Sequence, residues 1–124
     1  MSTREHVPAR NVRLKRAYES AAIDDGARVL VDRLWPRGVT KDRAALAGWC
    51  RDVAPSTNLR KWFGHDPDRW AEFRQRYRLE LKRNVAPVAI LRRLAKQRVL
   101  TLVFGARDET HNEAAVLREF LLGR

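Results

Sequence analysis

Two short segments of this 124-residue chain carry the side chains best suited to chemistry. The first runs from Asp32 to Gly38 and is followed by Lys41, and the second runs from Arg107 to Asn112. Guanidinium groups bind phosphate or carboxylate in a bidentate manner, and a carboxylate can orient or deprotonate a nucleophile. The predicted ligand-binding residues are Arg33, Trp35, Arg37, Lys41, Arg107 and Asn112, and the predicted catalytic carboxylates are Asp32 and Asp108.

Each of these residues also has a simpler interpretation. Asp32 could pair with an arginine so that neither charge is buried alone. Trp35 could be a packing residue in a small chain with four tryptophans. Asp108 could serve only as a turn residue, and Asn112 could close the loop instead of binding a ligand. His111 is expected to be an exposed histidine in the first turn of a helix.

Apolar runs predict the strands that position these segments. Val12–Tyr18 alternates apolar and basic residues, which indicates a half-exposed strand. Arg28–Asp32 contains an unbroken apolar run, typical of a strand buried on both faces, and Val99–Phe104 is the second strongly buried strand. The pattern between the last two runs is mostly helical, and such a crossover favours parallel pairing. The sequence therefore predicts a single α/β domain with a small, mostly parallel sheet and helices packed on its faces.

Capping signals and helical spacing predict the helices. Thr40 and Ser56 are expected N-caps, and Asp66-Pro67 opens a long helix with Trp70, Phe73, Tyr77 and Leu81 on one stripe. A further helix is predicted over 87–96. Thr110 and Glu113 fit a capping box before a last helix. That helix is expected to bury Ala115, Val116, Phe120 and either Leu121 or Leu122.

The two chemical segments follow the two predicted buried strands. In open parallel sheets, ligands bind beyond the carboxyl ends of the strands, where loops diverge and helices begin. We therefore expect both segments to face each other across one cleft. Guanidinium groups beside a helix N-terminus would make that cleft an anion site.

The chain is strongly basic, with 26 Lys and Arg against 15 Asp and Glu and a formal net charge of +11. Arginine supplies most of this excess, which either reflects the codon usage of a GC-rich genome or indicates an anionic partner. A basic stripe of Arg74, Arg78 and Lys82 recurs every four residues, and Arg92 and Arg93 extend it. Either acidic groups of the fold or a phosphate backbone should compensate such like charges.

Several classes of protein are disfavoured. A single cysteine, Cys50, excludes an internal disulfide framework, and the three scattered histidines do not have the spacing of a zinc site. We expect no metal and no cofactor. No run approaches the length of a membrane span and the N-terminus lacks an apolar signal segment, so we expect a cytoplasmic protein with no membrane partner. Residues 1–10 are expected to be a loose N-terminal tail before a domain over 11–124.

The run Val31-Asp32-Arg33-Leu34-Trp35-Pro36-Arg37-Gly38 resembles a specific family. Together with Ala54-Pro55-Ser56, Leu59-Arg60-Lys61-Trp62-Phe63 and Asp108, it is similar to the bacterial domain-of-unknown-function family that includes the YeaO proteins. The resemblance covers residues 12 to 122. It implies a compact cytoplasmic α/β domain and no settled activity, so no catalytic residue can be carried over.

Two functions remain open at this point. The first is a strand-end pocket for a phosphate-bearing ligand such as a nucleotide, with or without hydrolase or transferase chemistry. The alternative is a non-catalytic nucleic-acid-binding module that uses Arg74, Arg78, Lys82, Arg92 and Arg93. A basic surface that meets an acidic protein is a third possibility.

Overall fold

A four-stranded parallel sheet is the centre of the computed structural model, which describes residues 6–124. The strands are β1 (Val12–Arg16), β2 (Ala27–Leu30), β3 (Gly48–Trp49) and β4 (Leu100–Phe104), in the spatial order β1-β4-β2-β3. The two buried strands pair in parallel as predicted, with Val29 opposite Leu102 and Leu30 opposite Val103. All four residues of β2 and all five of β4 are buried.

The helices are α1 (Lys41–Ala44), α2 (Thr57–Phe63), α3 (Trp70–Arg83), α4 (Val85–Gln97) and α5 (Glu113–Leu121). Ser56 and Thr40 cap α2 and α1 through their side-chain oxygens, as predicted. Asp66 caps a 3-10 turn over Pro67–Arg69 that leads into α3. The chain therefore has the predicted α/β fold, with helices packed on a parallel sheet.

The sheet separates a large core from a small one. The large core joins Val29, Leu102 and Phe104 to the inner faces of α2, α3, α4 and α5. On α3, Phe73, Tyr77 and Leu81 are buried and Trp70 is half-buried, which confirms the predicted stripe. The small core joins Leu30 and Val103 to the segment around α1. This alternation follows from the period of two along a strand.

The start of α5 differs from the sequence prediction. Asn112, not Thr110, is the N-cap, and its Oδ1 accepts a 2.9 Å hydrogen bond from the amide of Ala115. Glu113 is therefore the first helical residue, so the predicted capping box is wrong. The inward face of α5 also differs from the prediction, because its buried residues are Ala114, Val116, Leu117 and Leu121. Ala115 and Phe120 are only half-buried.

The segment predicted to be a tail has two parts. Residues 1–5 lie outside the described residues. Val7 is buried in the large core, and Ala9–Asn11 form a 3-10 turn. Arg118 of α5 donates hydrogen bonds to the carbonyls of Ala9 and Val12, so the described part of this segment packs against the domain.

Candidate functional site

A pocket of about 230 Å³ opens at the carboxyl edge of the sheet, and we call it the strand-end pocket. Residues 32–34 after β2 and residues 105–106 after β4 form one side, and Asn112 and Glu113 at the start of α5 contribute to its lining. The remaining lining comes from α2, α3 and adjoining loops: Ala54, Pro55, Arg60, Phe63, His65 and Phe73. The pocket therefore has an aromatic wall beside carboxyl and guanidinium groups.

Asp32 is held in place by backbone contacts from two other segments. Its Oδ2 accepts a 2.8 Å hydrogen bond from the amide of Gly105, and its backbone carbonyl accepts a 2.7 Å bond from Nε1 of Trp49. The other carboxylate oxygen, Oδ1, is buried and meets no hydrogen-bond donor within residues 6–124. A buried carboxylate oxygen without a donor is costly, so this atom requires a partner.

Glu113 is the carboxyl group that lies beside Asp32. Its Oε2 is likewise buried without a donor among the described residues, and its side chain lies within hydrogen-bonding reach of Asp32. Burial raises the pKa of Glu113 well above its usual range, and the hydrogen bond and negative charge of Asp32 raise it further. A proton on Glu113 allows a hydrogen bond to Asp32 that two ionised carboxylates could not form. We call this arrangement the carboxyl pair.

Two arginines bring positive charge to the same pocket. Arg33 donates long hydrogen bonds of 3.3–3.4 Å to the carbonyls of Ala54 and Pro55. Arg60 projects from α2 and is exposed. Neither guanidinium forms an ion pair with an acidic side chain in the described part of the chain. His65 follows α2 in the left-handed conformation, with a φ of 59°, and is exposed beside Phe63.

The structure brings together only some of the sequence-predicted site residues. Asp32, Arg33 and Asn112 line the strand-end pocket, whereas Trp35, Arg37, Lys41, Arg107 and Asp108 do not. Arg37, Lys41 and Arg107 are exposed. Trp35 packs edge-to-face against Trp49 in the small core and donates to the carbonyl of Val39, which fits the packing interpretation.

Asp108 and Asn112 build the turn that precedes α5. Asp108 accepts hydrogen bonds from the amides of Thr110 and His111, which hold the pKa of its exposed carboxyl far below the usual range. Its Oδ2 also lies 3.0 Å from Nδ1 of His111. Asn112 donates to the carbonyl of Asp108 while it caps α5. Both ends of the Asn112 amide are thus occupied within the chain, as the loop-closing interpretation requires.

The basic stripe is largely compensated from within the fold. Arg74 pairs with Glu119 at 3.2 Å, and Arg78 donates to the carbonyl of Arg124. Arg92 donates to the carbonyls of Phe120 and Leu121 at 2.8 and 3.4 Å. Cations near the last carbonyls of a helix are favourable, so these arginines stabilise the end of α5. Lys82 and Arg93 remain exposed beside them.

Three further features of the described residues concern metal binding, membrane spanning and thiol reactivity. No three His, Cys, Asp or Glu side chains between residues 6 and 124 come together as the ligands of a metal ion would. Over the same range, no helix is both long and apolar enough to cross a membrane. Burial raises the pKa of the half-buried Cys50 thiol, which disfavours its reactive thiolate form.

Comparison with known proteins places the chain in a family. Residues 11–124 match the family model described as "Inactive DUF488-N3 subclade". The chain belongs to this subclade. It is 48% identical over 113 residues to the uncharacterized protein Rv3073c of Mycobacterium tuberculosis, covering 91% of this chain and 95% of that protein. It is 42% identical over 111 residues to the uncharacterized protein YeaO of Escherichia coli, covering 90% and 96%. No solved structure matches it.

Three polar residues that line the pocket of this DUF488 chain were not predicted from the sequence: Arg60, His65 and Glu113. Glu113 follows the same strand-end rule that selected Asn112, but the capping-box interpretation assigned its carboxyl to the helix backbone. A correct N-cap at Asn112 would have placed Glu113 at the cleft. Arg60 and His65 carry no local signal, because only the packing of α2 against α3 brings them to this edge.

Proposed function

We propose that this chain binds a small phosphate-bearing ligand, such as a nucleotide or a sugar phosphate, in the strand-end pocket. The single observation that carries the proposal is the joint presence of Arg33 and Arg60 around a pocket with a buried polar floor. Two guanidinium groups that pair with no acidic side chain within residues 6–124 suit a dianionic phosphate. The pocket volume of about 230 Å³ is smaller than that of a typical pocket for a drug-sized ligand. It therefore suits a small ligand or one part of a larger ligand.

Binding without turnover is the form of this function that we favour. The family model is described as an inactive subclade. A general base needs the proton of a substrate within hydrogen-bond reach. Asp32, the predicted base that lines the pocket, is engaged by Gly105 at one oxygen and lies against Glu113. These contacts support a recognition role for Asp32 in place of the hydrolase or transferase role.

Calorimetric titration with inorganic phosphate, ribose 5-phosphate and adenosine monophosphate tests the proposal. We expect Arg33→Ala and Arg60→Ala each to weaken binding of a phosphorylated ligand by about tenfold or more, because a charge-assisted hydrogen bond contributes roughly 1.5–3 kcal/mol. Arg43→Ala is the matched control, since Arg43 is exposed on α1 and does not line the pocket. If none of these probes binds, or if all four proteins bind them equally, the proposal fails.

A nucleic-acid-binding role is the second candidate, and a specific groove favours it. Lys82, Arg92, Arg93 and Lys96 lie along a groove of about 440 Å³ between α3, α4 and the end of α5. The contacts of three arginines argue against this role. Arg74 pairs with Glu119, and Arg78 and Arg92 donate hydrogen bonds to backbone carbonyls near residue 124. A gel-shift assay of Lys82→Glu/Arg93→Glu tests this role, because loss of phosphate contacts should weaken duplex binding and reduce its salt dependence.

A further inference from the structure

The groove between α3, α4 and the end of α5 combines an apolar floor with a cationic rim. Its volume is about 440 Å³, and we call it the basic groove. Leu81 and Val88 are buried at the floor, and Phe120 is half-buried beside them. Lys82 and Arg93 are exposed at the rim. Among residues 6–124, no acidic residue lines this groove.

The basic groove follows one face of α4. The residues that recur at successive turns of this face are Val85, Ala89, Arg92 and Lys96. They span three helical turns, or about 16 Å. Asn84 alone separates α3 from α4, so Lys82 at the end of α3 lies next to the first turn of α4 in the chain. Apolar side chains therefore line one end of the groove along α4, and cations line the other.

Two properties of the groove define what would complement it. Val85 is 69% exposed, and contact with another apolar group would remove its side chain from water at a gain in free energy. Lys82 and Arg93 pair with no acidic side chain of residues 6–124. A complementary occupant therefore carries an apolar side chain together with carboxylates.

The apolar part of the groove favours a protein segment over a nucleic acid. A phosphate backbone would contact the cations but would gain nothing from Val85 and Ala89. Bases bind single-stranded nucleic-acid sites by stacking on aromatic rings. The guanidinium carbons of Arg78 and Arg92 already lie over the ring of Phe120, at 5.6 and 5.3 Å from its centre. The charges of the groove would suit either partner, and its apolar residues select between them.

We propose that the basic groove binds an acidic, amphipathic segment of a partner protein. An apolar side chain of this segment lies against Val85 and Ala89, and its carboxylates pair with Lys82 and Arg93. A helical segment of about 12 residues spans roughly 18 Å, which matches the length of the groove. The basic groove shares no lining residue with the strand-end pocket, so this interaction does not depend on the proposed phosphate ligand.

Selection of random phage-displayed peptides of about 12 residues on the immobilised whole chain tests the proposal. We expect the enriched peptides to carry net negative charge and an apolar residue between acidic ones. By fluorescence anisotropy, Lys82→Glu/Arg93→Glu should bind these peptides at least about tenfold more weakly, because like charges then face each other. Arg43→Glu/Lys61→Glu is the matched control, since it makes the same change of net charge at exposed positions outside the groove.

The apolar contact has its own control on α4. Val85→Ser should weaken binding of the selected peptides by about tenfold, because burial of a valine side chain is favourable. Ile90→Ser should leave it unchanged, because Ile90 is also exposed on α4, at 55%, but does not line the groove. Circular dichroism of each variant checks that a loss of binding is not a loss of fold.

Three results would overturn the proposal. They are no enrichment of acidic peptides on wild type, equal binding by the two charge-reversal variants, and equal binding by Val85→Ser and Ile90→Ser. A short DNA duplex is the competing probe in the same anisotropy assay. If the duplex binds wild type and loses affinity in Lys82→Glu/Arg93→Glu while no acidic peptide is enriched, the groove serves the nucleic-acid-binding role instead.

Discussion

The carboxylate of Asp32 and the backbone amide of Gly105 are joined by a 2.8 Å hydrogen bond across the carboxyl edge of the sheet. This bond ties the loop after β2 to the loop after β4, two segments separated by 73 residues in the chain. It also occupies Oδ2 of Asp32 and leaves Oδ1 without a donor among residues 6–124. The position of the candidate site therefore depends on a backbone contact as well as on side chains.

A Cβ atom at residue 105 should disturb this contact. In Gly105→Ala the new atom would lie 3.1 Å from Asp32 Oδ2 and 3.8 Å from Cβ of Pro36. We expect the free energy of unfolding to fall by roughly 1–2 kcal/mol, since a crowded hydrogen bond must lengthen. Urea denaturation measures this change. Gly48→Ala is the matched control, because nothing lies within 4 Å of its added Cβ, and a loss of stability as large as that of Gly105→Ala would contradict the explanation.

The stability of the chain should depend on the protonation of Glu113. Glu113 has a raised pKa in the folded chain and an ordinary pKa of about 4.3 when unfolded. The folded state therefore holds the proton at pH values where the unfolded state has lost it. We expect the free energy of unfolding of wild type to fall relative to Glu113→Gln as the pH rises above about 4, with the loss complete once the pH exceeds the folded pKa.

Denaturation of both proteins between about pH 4 and pH 8 tests this linkage. Asp32, Arg33, Arg60 and His65 line the same pocket as Glu113. Burial raises the pKa of the neighbouring Tyr77, so its hydroxyl stays protonated throughout this pH range. Since histidine also titrates in this range, the comparison is repeated on a His65→Asn background. Parallel curves for wild type and Glu113→Gln on that background would show that Glu113 is not protonated preferentially in the folded state.

The hydroxyl of Tyr77 should contribute to the position of the pocket wall. It is fully buried and donates a 2.7 Å hydrogen bond to the carbonyl of Val53, next to Ala54 and Pro55. We expect Tyr77→Phe to lower the free energy of unfolding by about 1–3 kcal/mol, because the carbonyl of Val53 is left without a donor. Tyr18→Phe is the matched control, because it removes a similar 2.9 Å hydrogen bond from an exposed hydroxyl to the carbonyl of Arg37. A comparable loss in the two variants by thermal denaturation would argue against burial as the cause.

Arg92 should act mainly as a structural residue of α5. It donates to the carbonyls of Phe120 and Leu121, and its guanidinium lies 5.3 Å from the centre of the Phe120 ring. We expect Arg92→Ala to lower the free energy of unfolding by roughly 1–2 kcal/mol. Its neighbour Arg93 is exposed, so Arg93→Ala should change the free energy of unfolding by less than about 0.5 kcal/mol. Equal stability of the two variants in guanidinium titrations would contradict the helix-end role.

The strands and most helix starts could be predicted because their signals are local. Val29-Leu30-Val31 and Val99–Phe104 have no polar interruption other than Thr101, and they form the two central strands. Ser56 and Gly64 carry capping signals and mark the two ends of α2. Parallel pairing followed from the long helical crossover between the buried strands. The edge of the sheet where ligands are expected could then be stated from topology alone.

The composition of the pocket could not be predicted in the same way. Thr110 and Asn112 are both good N-caps, and the packing of α5 against α3, β1 and β4 selects between them. That choice decides that Glu113 lies at the pocket. Arg60 and His65 reach the pocket only because of the way α2 packs in the folded chain. This packing cannot be derived from the linear sequence. The compensation of Arg74 by Glu119 likewise joins residues 45 positions apart.

The central position of β4 has a consequence for the order in which the chain can assemble. β1 and β2 do not pair with each other, and each pairs with β4, which begins only at Leu100. During synthesis, β1 and the edge of β2 that pairs with β4 stay unpaired until residues 100–104 have been made. We therefore expect incomplete chains to bind chaperones that hold unfolded proteins. The native sheet should form in one cooperative step after β4 has been synthesised.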